Sequence, residues 1–373
     1  MFEHYIMQDG KKLRLGYTTG TCATIASAAA VRMLLGGETV VSSGVITPKG
    51  LEVYADVLDA VFDENSASCA VEKDGGDDID ATNGILVYSK AEKIGEGIVI
   101  TGGKGVGKVT KPGLDQPVGE YAINHVPREM ITKYVSEVMK EFGYEGGIKI
   151  TVSIPKGEEV AVKTFNPNLG IVGGISVLGT SGIVEPKSLE ALKKSIFVEM
   201  NVIKASGADS LIVTPGNYGE NFIGSYPSLA SFETIKCANF IADTIRHAVE
   251  LDFKRILCVG HIGKFVKLAG GISNTHSMYA DCRNEIFAAN AALCGGDIKT
   301  VERIMDAATT DECVAAIREC GIERAVMDRI ISAAQKHVKR WASDDVEIGI
   351  LIYSNVYGVL GMSPEAEKII EKN

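Results

Sequence analysis

The stretch RILCVGHIGKFVKLAGGISNTHS, residues 255–277, joins an apolar run to a segment rich in glycine, lysine and histidine. The run 255–259 is short and apolar, which predicts a buried strand. The segment that follows holds four glycines, two lysines and two histidines in 18 positions. These residue types suit a phosphate cradle, a metal site or a grip on a large anionic substrate. A plain turn followed by a packed helix is the simplest alternative.

The second half of the chain repeats this order of strand and helix. Apolar runs predict strands at 210–214, at 255–259 and, as the last strand, at 347–353. Longer helices are predicted at 188–205, at 231–251 and within 278–342. This alternation favours a Rossmann-like α/β domain with a mainly parallel sheet over residues 186–373. Ligands of such sheets bind beyond the carboxyl ends of the strands, which is where the predicted loops 214–221 and 260–264 lie.

The first half has a different rhythm, dominated by short strands. An alanine-rich segment predicts a helix at 22–35, capped by Thr19 or Thr21 and ended by the two glycines after it. Residues 38–100 predict antiparallel strands, because their apolar alternation is broken by Gly, Asp and Asn turns. A helix at 127–142 and a strand in IKITVSIPKG follow. We assign a mixed α+β domain with antiparallel strands to residues 1–185, with the boundary somewhere in the glycine-rich stretch 165–186.

Composition restricts the class of partner. The 373 residues carry a net charge of −10, whereas binding to nucleic acid or to anionic lipid needs a basic face. We therefore expect neither partner. The first 17 residues lack the apolar core of a signal peptide, and no apolar run reaches the ~18 residues of a membrane span, so we expect a cytoplasmic protein. The eight cysteines include no C-x-x-C pair, which argues against structural zinc and against disulfides.

A glycine-rich loop at 102–108 comes close to a nucleotide-binding P-loop. The match fails because Val109 stands where Ser or Thr must hold Mg²⁺, and because Pro112 stops the helix that should follow. The lysines of this region, Lys104, Lys108 and Lys111, could still receive carboxylates. A solvated hairpin tip explains them equally well.

The remaining familiar motifs are also incomplete. His261 and His276 do not have the spacing of a zinc site, so we expect no protein-bound metal. Ser181 lacks the second glycine of the hydrolase motif G-x-S-x-G. The aspartates of KDGGDDIDATNG, residues 73–84, lack the spacing of a calcium loop.

Two threonine-rich segments, YTTGT at 17–21 and SNTHS at 273–277, offer another way to hold an anion. Hydroxyl groups and the N–H groups at a helix start bind carboxylate or phosphate without net positive charge. Plain helix capping is the alternative. The residues alone therefore indicate an enzyme that acts on a small or medium anionic ligand.

Six stretches together resemble the CbiD family, the cobalt-precorrin-5B C1-methyltransferases of anaerobic cobalamin biosynthesis. They cover most of the chain in order: GYTTGTCAT (16–24), KDGGDDIDATNG (73–84), TGGKGVGKVTKPGL with GEYAINHVPREMI (101–131), FNPNLGIVGGISVLGTSGIVEP (165–186), VTPGN (213–217) and GHIGKFVKLAGGISNTHSMYADCRNE (260–285). Two positions depart from the family pattern, because Cys282 stands where glycine is usual and Ile79 where proline is expected. Neither departure removes a reactive group.

The resemblance implies transfer of a methyl group from S-adenosylmethionine to ring carbon C1 of a cobalt-containing tetrapyrrole, giving cobalt-precorrin-6A. Cobalt would arrive inside the substrate and not on the protein. The ring carbon is then the nucleophile in an in-line displacement, so correct positioning should contribute most to the rate. An electron-rich macrocycle needs no general base.

The resemblance and the strand-end positions together suggest three groups of site residues. For S-adenosylmethionine we expect Thr214, Gly216, Asn217, Gly219, Gly260 and Gly263. For the carboxylates of the tetrapyrrole we expect Thr18, Thr19, Thr21, Lys104, Lys264, Lys267, Asn274 and Thr275. For proton handling or axial contact with cobalt we expect His261 and His276, although a lone histidine often only completes local hydrogen bonding.

Two other functions stay open at this point. A tetrapyrrole-binding carrier or scaffold would bind the corrinoid without the methyl donor. A nucleotide-dependent enzyme using the loop from Gly102 to Lys108 would bind ATP and Mg²⁺. The sequence also leaves open whether the chain forms a homo-oligomer or contacts other enzymes of cobalamin biosynthesis.

Overall fold

The computed structural model describes residues 2–8 and 10–372 and shows a mixed α/β protein. The chain divides into two compact units, Met1–Leu189 and Glu190–Asn373. The elements of the first unit are β1 (Tyr5–Gln8), β2 (Lys11–Arg14), β3 (Gly16–Tyr17), α1 (Thr19–Gly36), β4 (Ser42–Ile46), β5 (Glu52–Asp56), β6 (Leu58–Phe62), β7 (Ser66–Glu72), β8 (Leu86–Ile94), β9 (Ile98–Gly102), β10 (Gly105–Val106), β11 (Lys108–Val109), α2 (His125–Glu141), β12 (Gly147–Ser153), α3 (Gly157–Ala161), β13 (Ile171–Val172), β14 (Gly174–Ile175) and β15 (Ile183–Val184).

The core of the first unit lies between a five-stranded sheet and helix α1. The strand order is β6-β7-β8-β12-β9, antiparallel except for the parallel pair β12 and β9. Helix α1 packs on β7 and β8, and α2 packs on α1. The alanines of α1 are almost entirely buried, and their small side chains let the helix lie close to the sheet.

Helix α1 begins earlier than the sequence predicts. Its N-cap is Thr18, whose hydroxyl accepts a hydrogen bond from the Thr21 amide, so the prediction of a cap at Thr19 or Thr21 is wrong. Its end is as predicted, because Gly37 has a φ of 71° and donates its amide to the Met33 carbonyl. A left-handed residue of this kind is the usual glycine end of a helix.

The second unit contains a second five-stranded sheet, surrounded by helices. Its elements are α4 (Leu189–Ala205), β16 (Ser210–Thr214), α5 (Asn217–Gly224), a 3₁₀ turn (Pro227–Leu229), β17 (Glu233–Lys236), α6 (Ile241–Glu250), β18 (Arg255–His261), α7 (Ile262–Ala269), α8 (Arg283–Leu293), α9 (Ile298–Met305), α10 (Thr310–Glu319), α11 (Glu323–Trp341), β19 (Glu347–Ser354), β20 (Gly358–Met362) and α12 (Pro364–Glu371).

The strand order of this sheet is β17-β16-β18-β19-β20. The first four strands are parallel, and β20 joins one edge in the antiparallel direction. Leu211 and Val213 face the cluster that includes α6, α7 and α11. Ile212 and Tyr353 face the opposite cluster, which includes α5 and α12. The sheet is thus covered on both faces, which explains its nearly continuous apolar strands.

Four sequence predictions for this unit are wrong. The loop predicted at 214–221 is a loop only at its start, because α5 begins at Asn217. The helix predicted at 231–251 is instead the edge strand β17 followed by α6. The strand near 347–353 is not the last, since β20 and α12 follow it. The segment 260–264 is not a loop, because β18 continues to His261 and α7 begins at the next residue.

Cys282 precedes helix α8 with a φ of 60°, in the left-handed region that favours glycine. This conformation fits the glycine that the resemblance leads one to expect at position 282. Within the described residues, no helix is both long enough and apolar enough to cross a membrane.

Candidate functional site

The carboxyl ends of β16, β18 and β19 bring Thr214, His261 and Tyr353 to one edge of the sheet in the second unit. His261 lies directly opposite Tyr353 in the parallel pairing of β18 and β19. Side chains two residues apart on a strand share a face. Thr214 therefore faces the same way as Ile212, and His261 the same way as Val259, on the side that helix α5 covers.

This edge also contains the point where the strand order reverses. The chain leaves β16 for β17 on one side and then returns to β18 on the other side of β16. The loops at such a point diverge and leave a crevice, which is the usual ligand position in open parallel sheets. Thr214 and the start of α5 follow one of the two strands at this point, and His261 ends the other.

The two glycines after β16 have different surroundings. A side-chain carbon at Gly216 would meet no atom within 4 Å, so the backbone before α5 borders open space. A side-chain carbon at Gly219 would lie 1.7 Å from the Thr214 hydroxyl. Gly219 therefore allows α5 to rest on the strand end, and Gly216 leaves room for a ligand.

The other two predicted glycines have packing roles. A side-chain carbon at Gly260 would lie 2.2 Å from the ring of Phe265, so this glycine makes space for an apolar side chain. Gly263 donates its amide to His261 Nδ1 at 3.1 Å, within the first turn of α7.

His261 is the N-cap of α7, and the hydrogen bond from the Gly263 amide determines which ring nitrogen carries the proton. Because Nδ1 accepts a hydrogen bond, the proton of the neutral ring must be on Nε2. Burial lowers the pKa of His261, and the Asp311 carboxylate opposes only part of this effect. The ring edge also packs on Tyr353, with centroids 5.6 Å apart. His261 is therefore a neutral donor at pH 7.

The pH dependence of stability tests this assignment. Since the folded pKa of His261 lies below the ordinary value of about 6.5, the unfolded chain takes up the proton first as the pH falls. The free energy of unfolding of the wild type should therefore decrease as the pH falls below about 6.5. His261→Asn keeps a capping acceptor and removes the titration, so it should lose this part of the decrease. Parallel pH profiles of the two unfolding midpoints would contradict the assignment.

Asp311, Ser354 and Tyr353 are site residues that the sequence did not indicate. Ser354 donates its hydroxyl to Asp311 at 2.7 Å, which ties α10 to the end of β19. Burial raises the pKa of the Tyr353 hydroxyl to about 12, so this group stays protonated. For Tyr353 and Ser354, the only signal in the sequence is the polar end of the apolar run GILIYS.

Lys264 and Lys267 on α7 differ sharply. Burial, and to a lesser extent the Lys267 ammonium, lowers the pKa of Lys264, and no described acidic side chain pairs with it. Lys267 is only 3% exposed and donates to the carbonyls of Thr275 and Ala280. Lys264 is thus a half-buried cation available to a ligand, whereas Lys267 organises the segment after α7.

The segment 273–278 is held beside the carboxyl end of β17. Thr275 is buried, and its amide donates to the Asn239 carbonyl at 3.1 Å. The Asn274 side chain accepts a hydrogen bond from the amide of His276. His276 Nδ1 in turn accepts from the Met278 amide at 3.1 Å. These contacts give the segment one defined shape near the same sheet edge.

The predicted threonines of the first unit are buried at the start of α1. Thr19 exchanges hydrogen bonds with the backbone of Leu178, and the Thr21 hydroxyl donates to the Gly182 carbonyl at 2.6 Å. The Thr18 amide donates to the same carbonyl. The three residues therefore fasten the glycine-rich segment 178–182 to the helix, and their hydroxyls already have partners within the protein.

The glycine-rich segment with Lys104 is built from strands. Residues after Gly102 form β10 and β11, and the next helix starts only at His125. A P-loop needs a helix directly after its lysine, so this region cannot act as one. Lys104 is exposed, and Lys108 lies over the ring of Tyr121 at 4.8 Å. The region presents cations, without the phosphate cradle of a nucleotide site.

The acidic turn at 73–84 is also structural. Arg14 forms a two-pronged ion pair with Asp74, and buried Lys73 pairs with Asp80. The described residues contain no group of three or more His, Cys, Asp or Glu side chains that could hold a metal ion.

Comparison with known proteins gives consistent matches over both units. The CbiD family profile matches residues 6–186, and the profile "CbiD, C-terminal domain" matches residues 274–364. A cobalt-precorrin-5B C(1)-methyltransferase of Ruminiclostridium cellulolyticum is 46% identical over 354 residues, 95% of this chain and 92% of the relative. One of the same name from a Thermoanaerobacter species is 46% identical over 365 residues, 97% of this chain and 99% of the relative.

A solved structure is also similar in sequence. It is the crystal structure of the cobalamin biosynthesis protein cbiD from Archaeoglobus fulgidus, 30% identical, covering 71% of this chain and 83% of that one, with a TM-score of 0.40.

Proposed function

The chain belongs to the CbiD family, and from this membership we infer that it methylates ring carbon C1 of cobalt-precorrin-5B, giving cobalt-precorrin-6A in cobalamin biosynthesis. The observation that carries this proposal is the 46% identity, over 95% of the chain, to a relative named for that reaction. Cobalt belongs to the substrate.

We propose S-adenosylmethionine as the methyl donor and a Rossmann-like role for the sheet of the second unit. This donor supplies an electrophilic methyl group on a positively charged sulfur. The residues at the crevice suit such a ligand, because Thr214 has a buried hydroxyl without a partner among the described residues and Gly216 borders open space. Asn217, at the start of α5, completes this side of the proposed site.

His261 then acts as a hydrogen-bond donor in this site. Its Nδ1 is occupied by the Gly263 amide, so a proton acceptor at that atom is not available. Its Nε2–H can orient a polar group of either ligand. Precise placement of methyl group and ring carbon is the largest contribution expected from the protein, about 7–11 kcal/mol for well-positioned reactants.

The carboxylate arms of the tetrapyrrole need cations and N–H donors. In our proposal Lys104 is the candidate cation of the first unit for this class of ligand. Lys264 supplies charge in the second unit, where the segment around Asn274 supplies polar groups. Thr275 and Lys267 hold that segment in shape, and His276 lies within it. Thr18, Thr19 and Thr21 contribute by fixing the backbone of 178–182.

The contrast between the two lysines of α7 gives a paired prediction. Lys264→Met should leave the free energy of unfolding unchanged or higher, because it removes a desolvated charge, and should weaken binding of a polycarboxylated tetrapyrrole such as uroporphyrin. Lys267→Met should lower the free energy of unfolding by about 1–3 kcal/mol, since the buried Thr275 carbonyl and the partly buried Ala280 carbonyl lose their donor. Denaturant unfolding and fluorescence titration of each variant measure both effects. Equal effects of the two substitutions would contradict the distinction.

The proposed function is tested by incubating the full chain with cobalt-precorrin-5B and S-adenosylmethionine carrying an isotope-labelled methyl group. Label at C1 of the product supports the proposal. Calorimetric titration with S-adenosylhomocysteine, and in parallel with ATP and Mg²⁺, separates the alternatives. Binding of the tetrapyrrole without S-adenosylhomocysteine binding or methyl transfer would identify a carrier. Binding of ATP and Mg²⁺ alone would identify a nucleotide-dependent enzyme.

A further inference from the structure

Two buried hydroxyls at the carboxyl edge of the second unit have no hydrogen-bond partner among the described residues. They are Thr214 Oγ1 at the end of β16 and the Tyr353 hydroxyl near the end of β19. Thr214 is fully buried and Tyr353 is 1% exposed. Buried polar groups are nearly always paired, so two unpaired hydroxyls on the strands to either side of β18 require an explanation.

The same helix covers both hydroxyls. Gly219 of α5 lies against Thr214. One turn further along α5, the Phe222 ring stacks on the Tyr353 ring, with centroids 4.0 Å apart and planes at 7°. His261 lies between them on β18, with its Nε2–H facing no described partner. The Thr214 and Tyr353 hydroxyls thus lie beneath one eight-residue helix, and the half-buried His261 lies on the strand between them.

The Tyr353 hydroxyl brings nothing to the folded state as it stands. A phenylalanine ring would make the same stack with Phe222 and the same edge contact with His261. It would also avoid the desolvation of an unpaired hydroxyl. A group that only costs folding free energy in the free protein is better explained by a partner that is gained when a ligand binds.

We propose that Tyr353 is a binding residue for the methyl donor. Its hydroxyl forms hydrogen bonds with the polar groups of the nucleoside part of the ligand. The Thr214 hydroxyl and the Nε2–H of His261 bind the same part of the ligand. Hydroxyl groups donate and accept, which suits the hydroxyls of a ribose. Because α5 covers the Thr214 and Tyr353 hydroxyls, the ligand enters as α5 moves away from Tyr353. This inference rests on the proposed function, since it requires a nucleoside ligand at this edge.

Tyr353→Phe in the full chain is the test, with two measurements. The unfolding midpoint without ligand should stay the same or rise, because an unpaired buried hydroxyl is removed. The affinity for S-adenosylhomocysteine, measured by calorimetry, should fall about 5- to 20-fold, the loss of one ligand hydrogen bond. Thr214→Val should change both quantities in the same directions.

Thr244→Val is the matched control. Thr244 also has a buried hydroxyl without a described partner, but it lies within α6 and not at a strand end. Its replacement should raise or maintain the midpoint and leave the affinity unchanged.

Three results would overturn the inference. If the wild type binds S-adenosylhomocysteine and Tyr353→Phe binds it equally tightly, the Tyr353 hydroxyl does not contact this ligand. The proposed function would then stand. A lowered midpoint together with lowered affinity would show a structural role. Absence of S-adenosylhomocysteine binding to the wild type would overturn the donor assignment itself, and the inference with it.

Discussion

Gly105→Ala is expected to lower the free energy of unfolding by about 3–5 kcal/mol. Gly105 has a φ of 75°, which by itself disfavours alanine. The added carbon would also lie 1.8 Å from the carbonyl oxygen of Ile154. That carbonyl cannot shift easily, because it accepts a hydrogen bond from the Gly157 amide at 2.6 Å. The Ile154 amide also donates a hydrogen bond to the Lys104 carbonyl. Denaturant unfolding followed by circular dichroism measures the effect.

Gly97→Ala is the matched control for this prediction. Gly97 has nearly the same backbone conformation, with a φ of 73°, but a side-chain carbon there would meet no atom within 4 Å. Its replacement should cost only the conformational part, about 1–2 kcal/mol. The difference between the two variants measures the backbone contact at Gly105. Equal losses would show that this contact relaxes without cost.

The sequence predicts best where one element buries a continuous apolar surface. Strand β16 has the predicted bounds, and α1 differs only by a few residues, because alanine content and apolar runs decide these elements locally. Strand β17 was missed because Ile235 is the one fully buried residue among its four, which gives no apolar run. It is a strand because it pairs with β16, a tertiary contact that its own residues do not specify.

The last two elements, β20 and α12, were missed for a related reason. The apolar run of β19 is the last strong strand signal, whereas β20 contains two glycines in its five residues. Strand β20 depends on its antiparallel pairing with β19, and α12 on the Ser363 cap. Ser363 also accepts the Ile350 amide, so one side chain links strand and helix. Such a link becomes evident only in three dimensions.

The candidate site could be predicted from the sequence only in part. The sequence predicts strand ends at Thr214 and at Val259, and because parallel strands share an edge, both Thr214 and His261 enter the predicted site. Tyr353 was missed because its position beside His261 depends on the register of β18 and β19. Lys267 was read as a ligand contact because sequence does not show burial, and the structure gives it two carbonyl partners.

Asp80→Asn is expected to lower the free energy of unfolding by about 3–5 kcal/mol, because it leaves the Lys73 ammonium buried without its counter-charge. Lys73 is 3% exposed and donates to the Asp80 carboxylate. Asparagine retains an oxygen that can accept from the amide and hydroxyl of Thr82, so the substitution mainly removes charge. Thermal or denaturant unfolding at neutral pH measures the loss. Glu141→Gln, which breaks the exposed pair with Arg32, should have a much smaller effect.

The pH dependence gives this prediction its second test. Burial by itself raises the pKa of Asp80, but the Lys73 ammonium and the hydrogen bonds from Thr82 outweigh it, and the net pKa is lowered. The stabilisation is therefore fully present above the unfolded value of about 3.9 and is lost as the pH falls through the lower folded pKa. Wild type should lose stability more steeply than Asp80→Asn over this acidic range, so the two curves should converge. A constant separation down to the lowest pH would show that the loss comes from packing, and that the ion pair with Lys73 contributes little.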